Sequence, residues 1–281
     1  MSRVLIIALF VVVFLAGLTV LLYPVVSDFF NAREQSRAIE QYFGVVDSLS
    51  DQDYAEILEA AHEYNARLRS KKNRFNMSEE DLAEYKSLLN PTGLDVIGML
   101  EIEIINVRLP IFHGTDQGVL QIALGHLEGS SLPVGGPGTH AVITGHRGLP
   151  SSTLLTNLDR IVLGDTFTIK VLNETLIYRV DQIVIVEPHE TTALAIVAEA
   201  DYCTLVTCTP YGINTHRMLV RGHRVGGETA EVFIKPAQIP SDARVLNDAR
   251  AALLLVVPAT IVILAVLFIR LRRVYGRGKK R

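Results

Sequence analysis

Cys208 ends the run Thr204-Leu205-Val206-Thr207-Cys208 and is followed by Thr209-Pro210-Tyr211-Gly212, where proline and glycine break an extended strand. A thiol at a strand end is reachable yet rigidly held. Beyond a loop, Arg217 opens the run Met218-Leu219-Val220-Arg221. If the two runs pair antiparallel across that loop, Arg217 lies beside Cys208 at one rim, with the backbones about 4.8 Å apart. A guanidinium there favours the thiolate and can bind a carbonyl oxygen as it becomes negative. A cysteine nucleophile also needs a proton donor and acceptor. His146 is placed for it, directly after the apolar strand Ala141-Val142-Ile143-Thr144 in Gly145-His146-Arg147-Gly148, with glycines that leave room around the ring. His126, His140 and His216 lie near equivalent loops. Together these residue types suit a cysteine nucleophile with a proton carrier and a carbonyl-binding cation. Singly, each has a plainer reading: a strand-end arginine in solvent, or a structural histidine.

The only other cysteine is Cys203. A separation of five residues puts it on the opposite face of a strand and about 16 Å away, far beyond the Cα limit of about 7 Å for a disulfide. Cys203 therefore reads as a small buried hydrophobe. The chain has no closely spaced histidine pair, no Cys-x-x-Cys and no phosphate-cradling glycine pattern, so neither a metal nor a cofactor is expected.

The elements that must position these residues are short. Met99–Ile105, Val107–Phe112, Ala141–Thr144, Phe167–Leu172, Leu176–Val186, Thr204–Thr207 and Met218–Val220 are rich in β-branched residues and separated by Gly, Pro, Asn or Asp, which predicts a closed barrel or a sandwich. Asn173-Glu174 reads as a hairpin turn. Ahead of them residues 28–90 read as helical. Ser50 with Asp51 and Asp53 caps one segment, and Ser78 with Asp81 starts another that ends at Asn90-Pro91, with an exposed loop from Arg69 to Met77 between them.

The chain has 281 residues, of which 49% are hydrophobic and 20% charged, too apolar for a disordered chain. No charge occurs from Val4 to Val26 or from Ala251 to Ile269, and both runs are long enough to cross a bilayer. Eight basic and no acidic residues lie outside residues 27–250, which leaves nineteen basic against thirty acidic residues between the runs. The positive-inside tendency then places both termini in the cytoplasm and the acidic middle outside. A cleaved signal peptide is the alternative for the first run, although no small-residue cleavage site follows it. An acidic exported domain argues against nucleic acid as a partner.

Thr204 to Arg217, together with Thr139-His140-Ala141-Val142-Ile143-Thr144-Gly145-His146-Arg147-Gly148-Leu149-Pro150, resembles the active-site segments of sortases, and the stretch Gly125 to Gly136 resembles the pilus-assembling class C sortases of Gram-positive bacteria. The likeness spans about residues 85–225. It implies a closed sortase-type β-barrel, and with the helical and charge-free runs read above the expected fold is mainly β: that barrel with an N-terminal helical extension and two flanking transmembrane helices. The implied organisation is a first transmembrane helix at 1–27, a helical extension at 28–92 with a candidate lid loop at 69–77, a catalytic barrel at 93–235, a linker at 236–250, a second transmembrane helix at 251–270 and a basic cytoplasmic tail at 271–281. It further implies a Cys-His-Arg site on Cys208, His146 and Arg217. Cys208 would attack the Thr-Gly bond of a Leu-Pro-x-Thr-Gly-like sorting signal, His146 would protonate the leaving amine, and Arg217 would hold the substrate carbonyl. A pilin lysine would then resolve the thioacyl-enzyme, so the expected partners are pilin or surface proteins bearing a sorting signal, and the lipid bilayer. Thr207 and His126, which lie in these segments, are expected to bind substrate. Many class C enzymes carry a lid with an Asp-Pro-aromatic motif; here the matching stretch is Asn73-Arg74-Phe75, which keeps only the aromatic. Phe75 reads either as a plug for the groove or as an ordinary loop aromatic. The alternative functions are attachment of surface proteins to the cell-wall peptide and a non-catalytic membrane-tethered scaffold.

Overall fold

In the computed structural model, which describes residues 3–226, eight strands close into one barrel behind three N-terminal helices. The strands are β1 (Val96–Ile102), β2 (Val107–His113), β3 (Leu124–His126), β4 (Thr139–Thr144), β5 (Thr166–Val171), β6 (Glu174–Val186), β7 (Asp201–Thr209) and β8 (His216–Val225). Around the barrel they follow the order β1-β2-β3-β4-β7-β8-β6-β5, and β5 returns to β1. The pairs β2·β3 and β4·β7 are parallel and the others antiparallel. Closure leaves no free sheet edge. Alternation along each strand sends Ile143, Leu205, Val220, Ile169 and Cys203 inward, all fully buried.

The helices are α1 (Arg3–Val46), α2 (Asp51–Ser70), α3 (Glu79–Ser87) and a short α4 (Gln117–Ile122). Both expected capping boxes are present: Ser50 with Asp53 opens α2, and Ser78 with Asp81 opens α3. Each of the first three helices is keyed to the barrel by a buried polar side chain. The Tyr42 hydroxyl of α1 donates to Ile97 O at 3.0 Å and accepts from Leu172 N at 2.8 Å, and burial holds the phenol protonated. Asn65 of α2 donates to Leu132 O at 3.0 Å and accepts from Leu132 N at 2.7 Å. Tyr85 of α3 lies against His126 and Gly114. Buried polar groups that find their partners stabilise one docking register, because any other would strand them without hydrogen bonds.

Several boundaries differ from the sequence reading. Helix α1 does not end near residue 27 but runs through Pro24 to Val46. Residues Glu103–Ile105 form a 3-10 turn closed by Asn106 in the left-handed region, at φ 52°, so β1 stops at Ile102. The β5–β6 hairpin turns on Leu172-Asn173, with Val171 opposite Glu174, one residue earlier than expected. Arg69 and Ser70 belong to α2, and α3 ends at Ser87, before Asn90-Pro91. Strand β3, only three residues long, shows no alternation to read, and α4 is too short for a helical period. The linker, the second apolar run and the basic tail lie outside the described residues.

Candidate active site

The expected rim exists. Strands β7 and β8 pair antiparallel across the loop that joins them, with Cys208 opposite Arg217 and Thr209 opposite His216. Cys208 is half-buried and free, whereas Cys203 is sealed in the core, where burial pushes its thiol pKa up. The two cysteines do not pair. The Arg217 guanidinium donates to Asn214 O at 3.3 Å and His216 O at 3.1 Å, carbonyls of its own turn. These contacts leave other N–H groups of its fork for a ligand.

His146 comes from the end of β4, which lies beside β7 in parallel register, Thr144 opposite Val206. The next residue, Gly145, donates to Val206 O at 3.1 Å, which carries the loop to the same rim. The His146 pKa is lowered, first by partial burial and second by the positive charge of Arg217. The imidazole is therefore neutral at neutral pH and senses Arg217 electrostatically. Arg147 ties the loop down: it pairs with Asp159 and donates to Thr209 Oγ1 at 3.3 Å and to Thr156 O at 3.3 Å.

Two residues expected to touch substrate do not face it. The Thr207 side chain is 1% exposed and donates to Gly145 O at 2.8 Å. Because strand neighbours alternate, an outward Cys208 requires an inward Thr207. His126 is fully buried: Nε2 donates to Ser131 O at 2.8 Å, so Nδ1 accepts from the Tyr85 hydroxyl at 2.9 Å. Burial pushes its pKa down to about 3. Thr207 braces the backbone next to His146, and His126 fastens α3 to the barrel. His140 is likewise structural. Its Nδ1 donates to Ala195 O at 2.9 Å and its Nε2 accepts from Thr204 Oγ1 at 2.7 Å, which holds the β6–β7 loop, and burial lowers its pKa to about 4.

On the face that carries Cys208, an apolar cluster runs along β4, β7, β8 and β6. Val142, Leu194 and Leu219 form its buried centre, with Leu127, Val184, Val186 and Val206 around it. Register places Leu219 opposite both Val206 and Val184, and Arg217 opposite both Cys208 and Val186. The cluster therefore leads to the reactive rim. The loop between α2 and α3 is fastened to the β3–β4 and β6–β7 connections beside it. Arg74 donates to Gly129 O at 2.6 Å on one side and to Leu194 O at 2.6 Å on the other. Its guanidinium lies 4.2 Å from the centroid of Phe75, which is itself 37% exposed. Gly129 has φ +80°, and a Cβ there would meet Arg74 O at 2.1 Å, so only glycine lets the loop backbone approach. Arg74 thus fastens the loop at two points although neither an Asp nor a Pro precedes Phe75. The sequence signal was an arginine beside the aromatic and a glycine in Leu127-Glu128-Gly129-Ser130, but nothing local joins them.

Comparison with known proteins agrees with this arrangement. The profile of the Sortase domain matches residues 100–225. Sortase C1 from Streptococcus agalactiae is 48% identical, with 68% of this chain and 98% of that one covered and a TM-score of 0.66. Sortase A from Corynebacterium diphtheriae, in a lid mutant, is 45% identical over 63% of this chain and 96% of that one, with a TM-score of 0.58. Sortase C from Streptococcus pneumoniae, whose structure is described as bearing on catalysis and pilin substrate specificity, is 41% identical over 68% and 97%, with a TM-score of 0.60. A barrel of this topology at such identity, covering nearly the whole of each neighbour, leaves one conclusion: the chain belongs to the sortase family, with class C sortases among its structural neighbours, and is a cysteine transpeptidase.

Proposed function

We propose that the protein is a membrane-anchored pilus-polymerising sortase in which Cys208, His146 and Arg217 carry the reaction. The observation that carries this reading is the pairing of Cys208 with Arg217 in the β7–β8 register, with the His146 loop brought to the same rim by the β4–β7 pairing. The Cys208 thiol yields its proton to the neutral His146 as its sulfur attacks the carbonyl carbon of the Thr-Gly bond, and Arg217 stabilises the negative oxygen of the tetrahedral intermediate. As that intermediate collapses, His146 protonates the departing glycine amine and the thioester remains on Cys208. A lysine amine then attacks the thioester carbonyl and yields its proton to His146, and the Cys208 sulfur leaves and takes that proton back as the thiol. The thioester conserves the energy of the cleaved amide for the new one, so no nucleotide is consumed.

The apolar cluster beside the rim suits the Leu-Pro end of the sorting signal. The Arg74–Phe75 loop, which is fastened beside it, acts as a lid. The lid mutant among the neighbours and the pilin specificity attached to the pneumococcal enzyme support these finer assignments. Helix α1 has a segment long and apolar enough to cross a membrane, none of which is buried against the protein, and this supports anchoring with the barrel outside the cell.

The deciding experiment is mass spectrometry of the purified protein with a sorting-signal peptide, followed by addition of acceptors. A thioacyl adduct on Cys208, resolved by a pilin lysine, is expected. Resolution only by a cell-wall peptide amine would instead assign surface-protein attachment, and the absence of any adduct would remove the catalytic assignment of these residues.

A further inference from the structure

The segment that carries His146 is fastened at both ends of its excursion from the barrel. At its base Leu155 N donates to His146 O at 3.2 Å, and Gly148 N donates to Thr156 Oγ1 at 3.2 Å. Its tip, Ser151–Thr153, is held by helix α1. The backbone N–H and the hydroxyl of Thr153 both donate to Asp28 Oδ1, at 2.9 and 3.0 Å. Asn31 donates to Ser151 O at 2.8 Å, and Gln35 donates to Ile122 O at 2.5 Å and to Ser152 Oγ at 3.4 Å. Positions 28, 31 and 35 fall on one face of a helix, and the same stripe continues as Ile39, Tyr42 and Val46 into the core. The polar part of the stripe begins two residues after the charge-free run that ends at Val26.

We propose that this polar stripe makes α1 a positioning element for His146, with Asp28 as its principal positioning residue. A surface loop left to itself samples many conformations, and fixing its tip removes that freedom before substrate arrives. A carboxylate that accepts two hydrogen bonds from one residue is a strong fastener, because charge-assisted bonds exceed neutral ones. The helix that anchors the enzyme thus also sets the place of its proton-transfer group, and the catalytic loop is coupled to the bilayer segment without an intervening linker. This inference rests on the proposed role of His146.

The test uses the full-length chain in detergent micelles and compares wild type with Asp28→Ala, Asp28→Asn, Asn31→Ala and His146→Ala. Asp28→Ala should lower kcat for thioacyl formation about tenfold with KM unchanged, since the apolar groove is untouched. By NMR the His146 pKa should rise toward its ordinary value, because a loosened loop is better solvated and farther from Arg217. Asp28→Asn keeps an oxygen acceptor for Thr153 and should recover most of the rate. Should Asp28→Ala not fold, Asn31→Ala reads the same direction with a smaller loss. A wild-type rate and His146 pKa in Asp28→Ala, with His146→Ala inactive, would sink the positioning role alone. Full activity in His146→Ala would overturn the catalytic reading and this inference with it.

Discussion

At the scale of single residues, the two cysteines give the sharpest contrast. Cys208→Ala should abolish the thioacyl adduct, whereas Cys203→Ala, inside the barrel, should keep it and lose only about 1 kcal/mol of stability. Equal loss of adduct in both variants, with folding intact by circular dichroism, would refute the assignment. The electrostatic link between Arg217 and His146 is testable as well. Arg217→Ala removes one of the two causes that depress the imidazole, so the His146 pKa followed by NMR should rise toward about 6.5 while staying below it through burial; an unmoved value would mean the two side chains are not coupled. The meeting of Cys208 and Arg217 was legible because a short loop between two strands dictates which side chains face each other at the rim. The inward turn of Thr207 was also there to be read, since it must face opposite to Cys208. His126 was not legible. Its fate depends on Tyr85, which arrives from another element 41 residues away.

At the scale of elements, the lid loop shows what pattern reading leaves out. Its position between two capped helices could be read from the serines and aspartates at their starts, because capping is local. Its anchoring could not, because Arg74 bonds to carbonyls 55 and 120 residues distant. Bonds from a charged group contribute about 1.5 to 3 kcal/mol each when fully made, and this loop is only partly shielded. Arg74→Ala should therefore speed modification of Cys208 by a thiol reagent about ten- to thirtyfold. Phe75→Ala, which removes a ring that is 37% exposed, should do so by less than about tenfold. Identical rates in Arg74→Ala and wild type would mean the loop does not cover the thiol. The β6–β7 loop is held by His140, and its pH response follows from the sign of the shift. The folded state keeps this imidazole neutral to about pH 4, while the unfolded chain binds a proton near pH 6.5. Stability is thus lost as pH falls through that window, by about 2 to 3 kcal/mol between pH 6.5 and 4.5. His140→Gln, which cannot take up a proton, should flatten the fall in the urea midpoint across this range, and an equally steep fall would exclude His140 as its source.

At the scale of the whole molecule, most of the architecture follows from period and punctuation. Closed strands and capped helices repeat a local signal often enough to be read, whereas the three-residue β3, with no period of its own, exists only because β2 and β4 flank it. The continuity of α1 was hidden for a different reason. A change from apolar to charged composition near residue 27 looks like a boundary, but a helix can pass from lipid to water without breaking, and Pro24 is tolerated within it. The proposed orientation in the membrane rests on charge. Eight basic residues flank the two apolar runs, and the region between them holds an excess of eleven acidic charges. Positive flanks favour the cytoplasmic side, where anionic lipid attracts them, and resist translocation. With two crossings, the tail after Ile269 and the stretch before Val4 must then share one compartment. Protease added to intact protoplasts should digest residues 27–250 and spare a tag fused after Arg281. Loss of that tag without cell lysis would show that the basic tail is outside. A tag spared together with an intact middle would show that the barrel is inside, and would deny Cys208 any access to exported substrates.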